Sequence, residues 1–576
     1  MTGPAVPAQA AGFYAALLEN RQYWDAELAS EGMMSMSLPS PASTNGTWLK
    51  TQAVASVIRA MLTRKDTWGQ RYGTTIGYGI NMQDGFEDTF TTTVHAALEM
   101  GALPWARGLI DHQFDDYVRM DGMIYYRGEE IAQSARMITM LALYYSYSKD
   151  ETLLVKQFAK AKAIADWLIG RRSLSLDWPR DDARYGMLPG DSEADNYNRL
   201  YFHQDVELHF YSSTASAYRA FIEMGPIWQE LGKDLKRDDF AKHGATLLSF
   251  APELYHDLHA SLNTSVNTTA SPGDRCYCHR TECNDLDAGE MGNTYRSYPE
   301  LFFSGALSEK QVDDMYKSGL GLTTCPIGRW LQTGTPAAGP NLFSHVVHGL
   351  PHGLLQHDMV ERFLLHFFTQ SAHANARGTY ITPESTSAID HTHSVFYSAA
   401  GPNNVPLCLK WMLIFEELET KTLWLAKATP RAWLAPGEDP IIVSNATTRY
   451  GRLSFTVQPP SAPSTSANDA AADSVYTVAV NVTAPSTFAT TSKPAGGLQV
   501  RARAPLEHAG RMSKVTVGGK AWTSFDAGTE TITFSAADLT TELVSNGLPS
   551  IVVTFGAAAA SPLRRAVVDM SKRIMP

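Results

Sequence analysis

From about residue 48 to residue 420 apolar side chains recur at spacings of three and four, and they do so in paired segments. Ile131, Ala135, Ile138, Leu141, Leu143 and Tyr145 show the rhythm within one segment. Each pair reads as a helix, a long polar loop, a second helix and a tight turn. First helices are expected near 48–64, 104–120, 151–173, 233–257, 308–318 and 357–374. Second helices are expected near 89–101, 129–147, 207–224, 296–305, 343–350 and 404–418. Six such hairpins around one axis make an (α/α)6 toroid, a mainly α fold. The loops, near 70–88, 121–128, 174–206, 258–295, 319–342 and 375–403, would then gather at one end. They are rich in Asp, Glu, Trp, Tyr, Arg and His, and long loops of that kind are usually functional.

After residue 430 short β-rich runs appear, punctuated by Gly and Pro: Pro440–Val443, Arg452–Val457, Val475–Val482, Leu498–Arg503, Lys514–Val517, Thr531–Phe534 and Ser550–Phe555. This is the pattern of a β-sandwich. The stretch 459–473, PPSAPSTSANDAAAD, reads as a low-complexity loop between strands. The expected organisation is an N-terminal segment over 1–47, a catalytic barrel over 48–422, a linker over 423–436, a C-terminal β-sandwich over 437–560 and a tail over 561–576.

The formal net charge is -11, and no run of Lys and Arg interrupts it. A phosphate-tracking surface needs a basic face, so nucleic acid is not an expected partner. No apolar stretch approaches the ~20 residues of a membrane span. Cys276, Cys278 and Cys283 fall in one short segment, RCYCHRTEC, while Cys325 and Cys408 stand apart. The cluster suits disulfides of an oxidising compartment better than a metal, since C-x-C-x4-C matches no common zinc spacing. Asn45, Asn263, Asn267, Asn445 and Asn481 open N-x-[ST] sequons, which point toward a glycoprotein on a secretory route. The N-terminus, MTGPAVPAQAAGFYAALL, does not read as a signal peptide, so a cytoplasmic location stays open.

The hairpin rhythm and the loop texts NMQDGFEDT, RYGMLPGDSEADNY and RGTYITPES resemble the six-hairpin glycosidase superfamily, which includes glucoamylases, trehalases, processing α-glucosidases and α-L-fucosidases. The resemblance covers about residues 20–455. The segment TLWLAKATPRAWLAPGEDPIIVSNATTRYGRLSFTV also looks like the helix-to-sandwich junction of bacterial members. It implies a glycoside hydrolase acting on an oligosaccharide, polysaccharide or glycoconjugate by general acid/base catalysis, inverting and exo-acting, without cofactor or metal. An N-terminal β-sandwich found in many members is not seen here.

Inverting glycosidases use two carboxyl groups, one protonating the leaving oxygen and one activating water from the opposite face. The resemblance places the acid in the third loop and the base in the sixth. Glu193 and Asp191 follow the Leu188-Pro189-Gly190 turn, and their mutual repulsion would raise one pKa toward that of a general acid. Glu384, after Pro383, is the expected base, with Asp390 behind it. Asp84 in the first loop is the expected binder of sugar hydroxyls, by resemblance to glucoamylase-like enzymes. Trp68, Tyr72 and Trp178 are candidate stacking platforms, and Arg127 and Arg184 candidate hydroxyl or carboxylate clamps. For each of these, plain packing or a solvated surface is the competing reading.

His345, His348, His352 and His357 cluster around the fifth second helix, with His391 and His393 in the sixth loop. Without an H-E-x-x-H pattern or a Cys partner they read as structural or sugar-contacting rather than metal ligands. Two other functions fit the same architecture. A polysaccharide lyase also pairs an α/α toroid with a C-terminal β-sandwich and would recruit Tyr201, His203 and Arg199, but acid-rich loops would repel a uronate. A non-catalytic carbohydrate-binding protein is the third reading.

Overall fold

The computed structural model describes residues 10–64, 71–72, 83–84, 87–124, 130–190, 208–266, 275–281, 294–320, 322, 341–343, 349–376, 378–383, 385–387, 400–461, 476–544 and 547–557. After an N-terminal helix, α1 (Ala10–Ser30), twelve described helices form six hairpins. The outer ones are α2 (Gly46–Arg64), α4 (Leu103–Tyr117), α6 (Glu151–Ser173), α8 (Asp238–Thr264), α10 (Glu309–Gly319) and α12 (Val360–His373). The inner ones are α3 (Glu87–Met100), α5 (Ile131–Ser148), α7 (Tyr211–Asp234), α9 (Thr294–Phe303), α11 (Gly349–Gln356) and α13 (Asn404–Leu413). Each inner helix packs on the next, and α13 returns to α3, so the ring is closed.

The inner helices are buried almost all round. In α5 every residue from Ile131 to Tyr147 is buried, whereas α6 outside it alternates buried and exposed positions. A helix apolar all round is one enclosed by others. The tight turns that follow the inner helices share one device. Gly101, Lys149, Lys236, Gly305 and Asp358 each hold a positive φ, between 54° and 88°, at the point where the chain reverses. A left-handed residue ends a helix by turning its last carbonyls back onto the chain, as Lys149 N–H does to Tyr145 O. Chain direction then puts all five of these turns at one end of the ring and every long loop at the other.

The C-terminal part is a β-sandwich. Among the described residues one sheet runs β1 (Ser35–Ser37), β8 (Ile441–Ala446), β9 (Leu453–Gln458), β10 (Tyr476–Thr483), β16 (Leu548–Phe555), β12 (Met512–Val517), β13 (Lys520–Trp522). The other runs β14 (Phe525–Asp526), β15 (Thr531–Phe534), β11 (Leu498–Arg501), β7 (Leu423–Leu425), β6 (Ile414–Glu416). The sheets therefore cut across the expected segments. β1 comes from the N-terminal segment, β6 from the expected end of the barrel and β7 from the expected linker. Three-residue strands are too short to show a period of two, which is why the sequence does not reveal them.

The sandwich docks on the turn end of the ring. Arg501 forks onto Asp358 at 2.7 and 2.8 Å, and Arg503 reaches Glu361 at 2.8 Å. Arg452 donates to Gly101 O at 3.1 Å and to Asn445 O at 3.0 Å. Lys427, fully buried, sits 4.2 Å from the Trp424 ring centroid and 3.1 Å from Glu417.

His366, on α12, is buried beside Phe367, Gln370, Val405 and Cys408, and burial pushes its pKa down to about 4. In the unfolded chain it titrates near its ordinary value of 6.5. Between those two values the unfolded state binds a proton that the native state refuses, so stability falls as pH drops through that window, by up to about 3 kcal/mol for one group. His366→Leu should flatten the acid limb of a stability–pH curve measured by urea unfolding. An unchanged slope would refute this.

Candidate active site

The loop end is where the predicted site residues converge by topology. In loop 1, β2 (Arg71–Tyr72) pairs with β3 (Gln83–Asp84), placing the backbone of Asp84 opposite Arg71 and that of Tyr72 opposite Gln83. Loops 5 and 6 are joined by β4 (Asn341–Phe343) and β5 (Ser385–Ser387), an antiparallel pair that begins directly after Glu384. Loops 3 and 4 meet at a bridge between Phe210 and Arg280, flanked by Tyr211 N–H to His279 O and Thr281 N–H to His209 O. In loop 4, Cys276 and Cys278 are both disulfide-bonded, and Cys408 in α13 is a buried free thiol. Tyr298 OH donates to Tyr277 O at 2.6 Å, tying this segment to inner helix α9.

Loop 3 enters the ring through a pinned stem. Gly186 has φ +71°, and a Cβ there would lie 2.1 Å from an Asp257 carboxylate oxygen. That carboxylate is in turn held by Arg172 at 2.7 and 2.9 Å. Met187 and Leu188 are fully buried, Leu188 N–H donates to Thr214 Oγ1, and Gly190 N–H donates to Leu208 O. Gly190, at φ +134°, lies so close to Ile131 that a Cβ would sit 2.8 Å from its Cδ1. The Leu188-Pro189-Gly190 turn thus rests against the N-terminal ends of α5 and α7, one residue before Asp191.

Glu193, Asp191, Glu384, Trp68 and Arg127 lie outside the described residues, as do Tyr201, His203 and Arg199 of the lyase reading. Asp84 and Tyr72 are placed by their backbones only. Trp178 and Arg184 are brought together on the rim. The Arg184 guanidinium carbon lies 3.4 Å from the Trp178 ring centroid, and its Nε and NH2 donate to the two oxygens of Asp182 at 2.9 and 2.7 Å. Hydrogen bonding to Arg184 holds the Asp182 carboxyl below its ordinary pKa. Trp178 keeps 38% of its surface exposed, so this is a rigid aromatic shelf with its cation already compensated. Of the fifth-helix histidines, His352 is buried among Phe303, Trp411 and Phe415, and His357 Nε2 lies 2.9 Å from Leu307 O.

Two buried carboxylates on or beside inner helices escaped the sequence reading. Glu300, on α9, is 1% exposed and accepts from Gln133 Nε2 on α5. Gln133 Oε1 accepts in turn from Thr91 Oγ1 on α3 at 2.7 Å, which fixes the amide orientation. Since α5 and α9 are not neighbours in the ring, this chain of bonds spans the lumen. Glu130 occupies the N-cap of α5 and is 2% exposed. The available signals were a lone carboxylate inside the apolar run SYPELFF and a Gly-Glu-Glu directly ahead of an inner helix.

Below that layer the ring is filled by charge. Glu99 on α3 accepts from Lys410 Nζ, Trp411 Nε1 and Tyr147 OH, each at 3.0 Å, and His95 Nε2 lies 3.4 Å away. Tyr147 OH is also 2.8 Å from Glu416. One hydroxyl proton cannot serve two carboxylates at once, so Tyr147 is shared between Glu99 and Glu416, whose pKa burial pushes up. Arg449, from the turn after β8, donates to Glu223 at 2.7 Å, and Arg219 Nε donates to the other Glu223 oxygen at 2.8 Å. Arg219 also donates to Phe303 O at the end of α9. With His352 from α11, every inner helix contributes. The free space left here is about 20 Å³, room for about one water.

No family model and no curated protein matches the chain. Solved structures that resemble it include a GH78 family rhamnosidase of a Bacillus species, at 8% identity and TM-score 0.43, covering 74% of this chain and 40% of that one. A GH63 mannosylglycerate hydrolase from Thermus thermophilus is similar at 12% identity and TM-score 0.39, covering 63% of this chain and 100% of its own. A metal-independent alpha mannosidase from Streptococcus pneumoniae is similar at 12% identity and TM-score 0.37, covering 68% and 97%.

Proposed function

We propose that the protein is a glycoside hydrolase that removes terminal sugars with inversion. Glu193 is the general acid, with Asp191 beside it, and Glu384 is the general base. Asp84 binds sugar hydroxyls at the inner end of the pocket, and Trp178 with Arg184 forms part of the rim. The observation that carries this reading is that the lumen is blocked at its sandwich end by the charged layer around Glu99. A saccharide could reach it only between the loops, chain end first, which is the topology of an exo-acting pocket. Loops 1, 3 and 6 open on that same end, so a carboxyl from loop 3 and one from loop 6 can flank a bond on opposite sides. Uronate chemistry is disfavoured, because the acid-rich loops at that end would repel an anionic sugar.

The test is a panel of aryl glycosides and oligosaccharides, with the first-formed anomer identified by proton NMR. Inversion is expected. Glu193→Gln should lose activity on poor leaving groups far more than on activated aryl glycosides, which need little protonation. Retention of configuration, or an ultraviolet-absorbing product with a new C=C bond, would overturn the assignment.

A further inference from the structure

Of the sequon asparagines, Asn45, Asn263, Asn445 and Asn481 are described, and all four are exposed. Their surroundings differ. Asn45 caps α2: its Oδ1 accepts from Trp48 N–H at 2.8 Å, leaving Nδ2 turned away from the helix. Asn263 lies in the last turn of α8, at the loop end of an outer helix. Asn481 sits on β10 at an outward position, between buried Val480 and Val482 and opposite Thr456. A branched sugar on any of these three would extend into solvent without displacing a packed group.

Asn445 is built the other way. It holds φ +57° in β8, where the register shifts between Val443 and Ala446. Its Nδ2 donates to Gly32 O at 3.3 Å, and Arg452 binds both that carbonyl and Asn445 O. Thr447, the hydroxyl residue of this sequon, is completely buried. Nδ2 is thus tied to the carbonyl that closes the junction of α1 and the sandwich, and a sugar on it would compete with that bond and crowd Arg452 beside it. The paired state of Cys276 and Cys278 adds an independent pointer to an oxidising compartment, where such glycans are attached.

We propose that the chain is N-glycosylated at Asn45, Asn263 and Asn481 and left unmodified at Asn445. In the transfer, Asn Nδ2 attacks the anomeric carbon of an oligosaccharide carried on a polyisoprenyl diphosphate. The N–C bond forms, the sugar's C–O bond to the diphosphate breaks, and Nδ2 loses one proton to solvent. Asn267, outside the described residues, carries no expectation.

The test uses the full chain from its native source, digested with peptide N-glycosidase in heavy-oxygen water and mapped by peptide mass spectrometry, with an enzyme-free control for spontaneous deamidation. Heavy-labelled Asp at 45, 263 and 481, with plain Asn at 445, is the expected result, together with a drop in intact mass on enzyme treatment. Absence of label at any of the three sites, or label at 445, overturns the proposal.

Discussion

Lys410→Met should destabilise the protein by about 3–5 kcal/mol, because it strands a buried carboxylate rather than removing a surface pair. Lys410 is fully buried and donates to Glu99 at 3.0 Å and to Thr447 O at 2.8 Å. Burial alone would raise the Glu99 pKa, but the Lys410 charge and the hydrogen bonds around it outweigh burial and hold it well below its ordinary value. That depressed pKa means Glu99 contributes stability above the ordinary carboxylate range and loses it as pH falls toward the folded value. With Lys410 gone, burial wins and Glu99 favours the protonated state. The gap between wild type and variant should therefore narrow in mild acid. Urea unfolding at neutral pH and in mild acid reads both effects. A loss under about 1 kcal/mol, the range of an exposed pair, would show that the layer is not what holds the ring together. Adding Glu99→Gln to the variant should restore part of the loss, since the stranded charge is then removed too.

The second large effect concerns chemistry. Glu384→Gln should reduce kcat by at least about a thousandfold while leaving sugar binding nearly intact, because a general base acts only as the water becomes a nucleophile. Calorimetric titration with the released sugar, run beside the rate measurement, separates the two. Unfolding cannot mimic this outcome, since it would remove binding as well. If kcat stayed within about tenfold of wild type, less than a general base is worth, Glu384 would not be the base.

The six hairpins were legible because their apolar spacing is strong, but the boundaries moved wherever tertiary packing overruled local signals. Inner helix α7 was expected to stop near 224, at Gly225-Pro226, yet it continues to Asp234. Gly225 is there for close approach: a Cβ would lie 2.8 Å from Leu248, and one on Gly244 would lie 2.6 Å from Gly225 O. Inner helix α13 was expected to reach 418 and ends at Leu413, because Ile414–Glu416 leaves to become β6. The charged layer was not legible at all. Glu99 and Lys410 are 311 residues apart, and each alone looks like an ordinary polar residue on a helix. The predicted catalytic loops were legible as acid-rich text, whereas Glu130 and Glu300 depend on knowing which helix faces enclose the lumen.

The five left-handed turns have a consequence for how such a chain can vary. Each fixes a residue conformation, and two of them also make a docking surface for the sandwich, Asp358 for Arg501 and Gly101 for Arg452. A residue inserted at either of those two would break a helix stop and a domain contact together. At the opposite end, a longer loop costs only a slowly growing closure entropy. The ring is therefore a frame with one end closed to length change and the other open to it. Descendants of this sequence should differ in substrate by rewriting and resizing the loops, while the spacing between each inner helix and the next outer one stays constant to the residue.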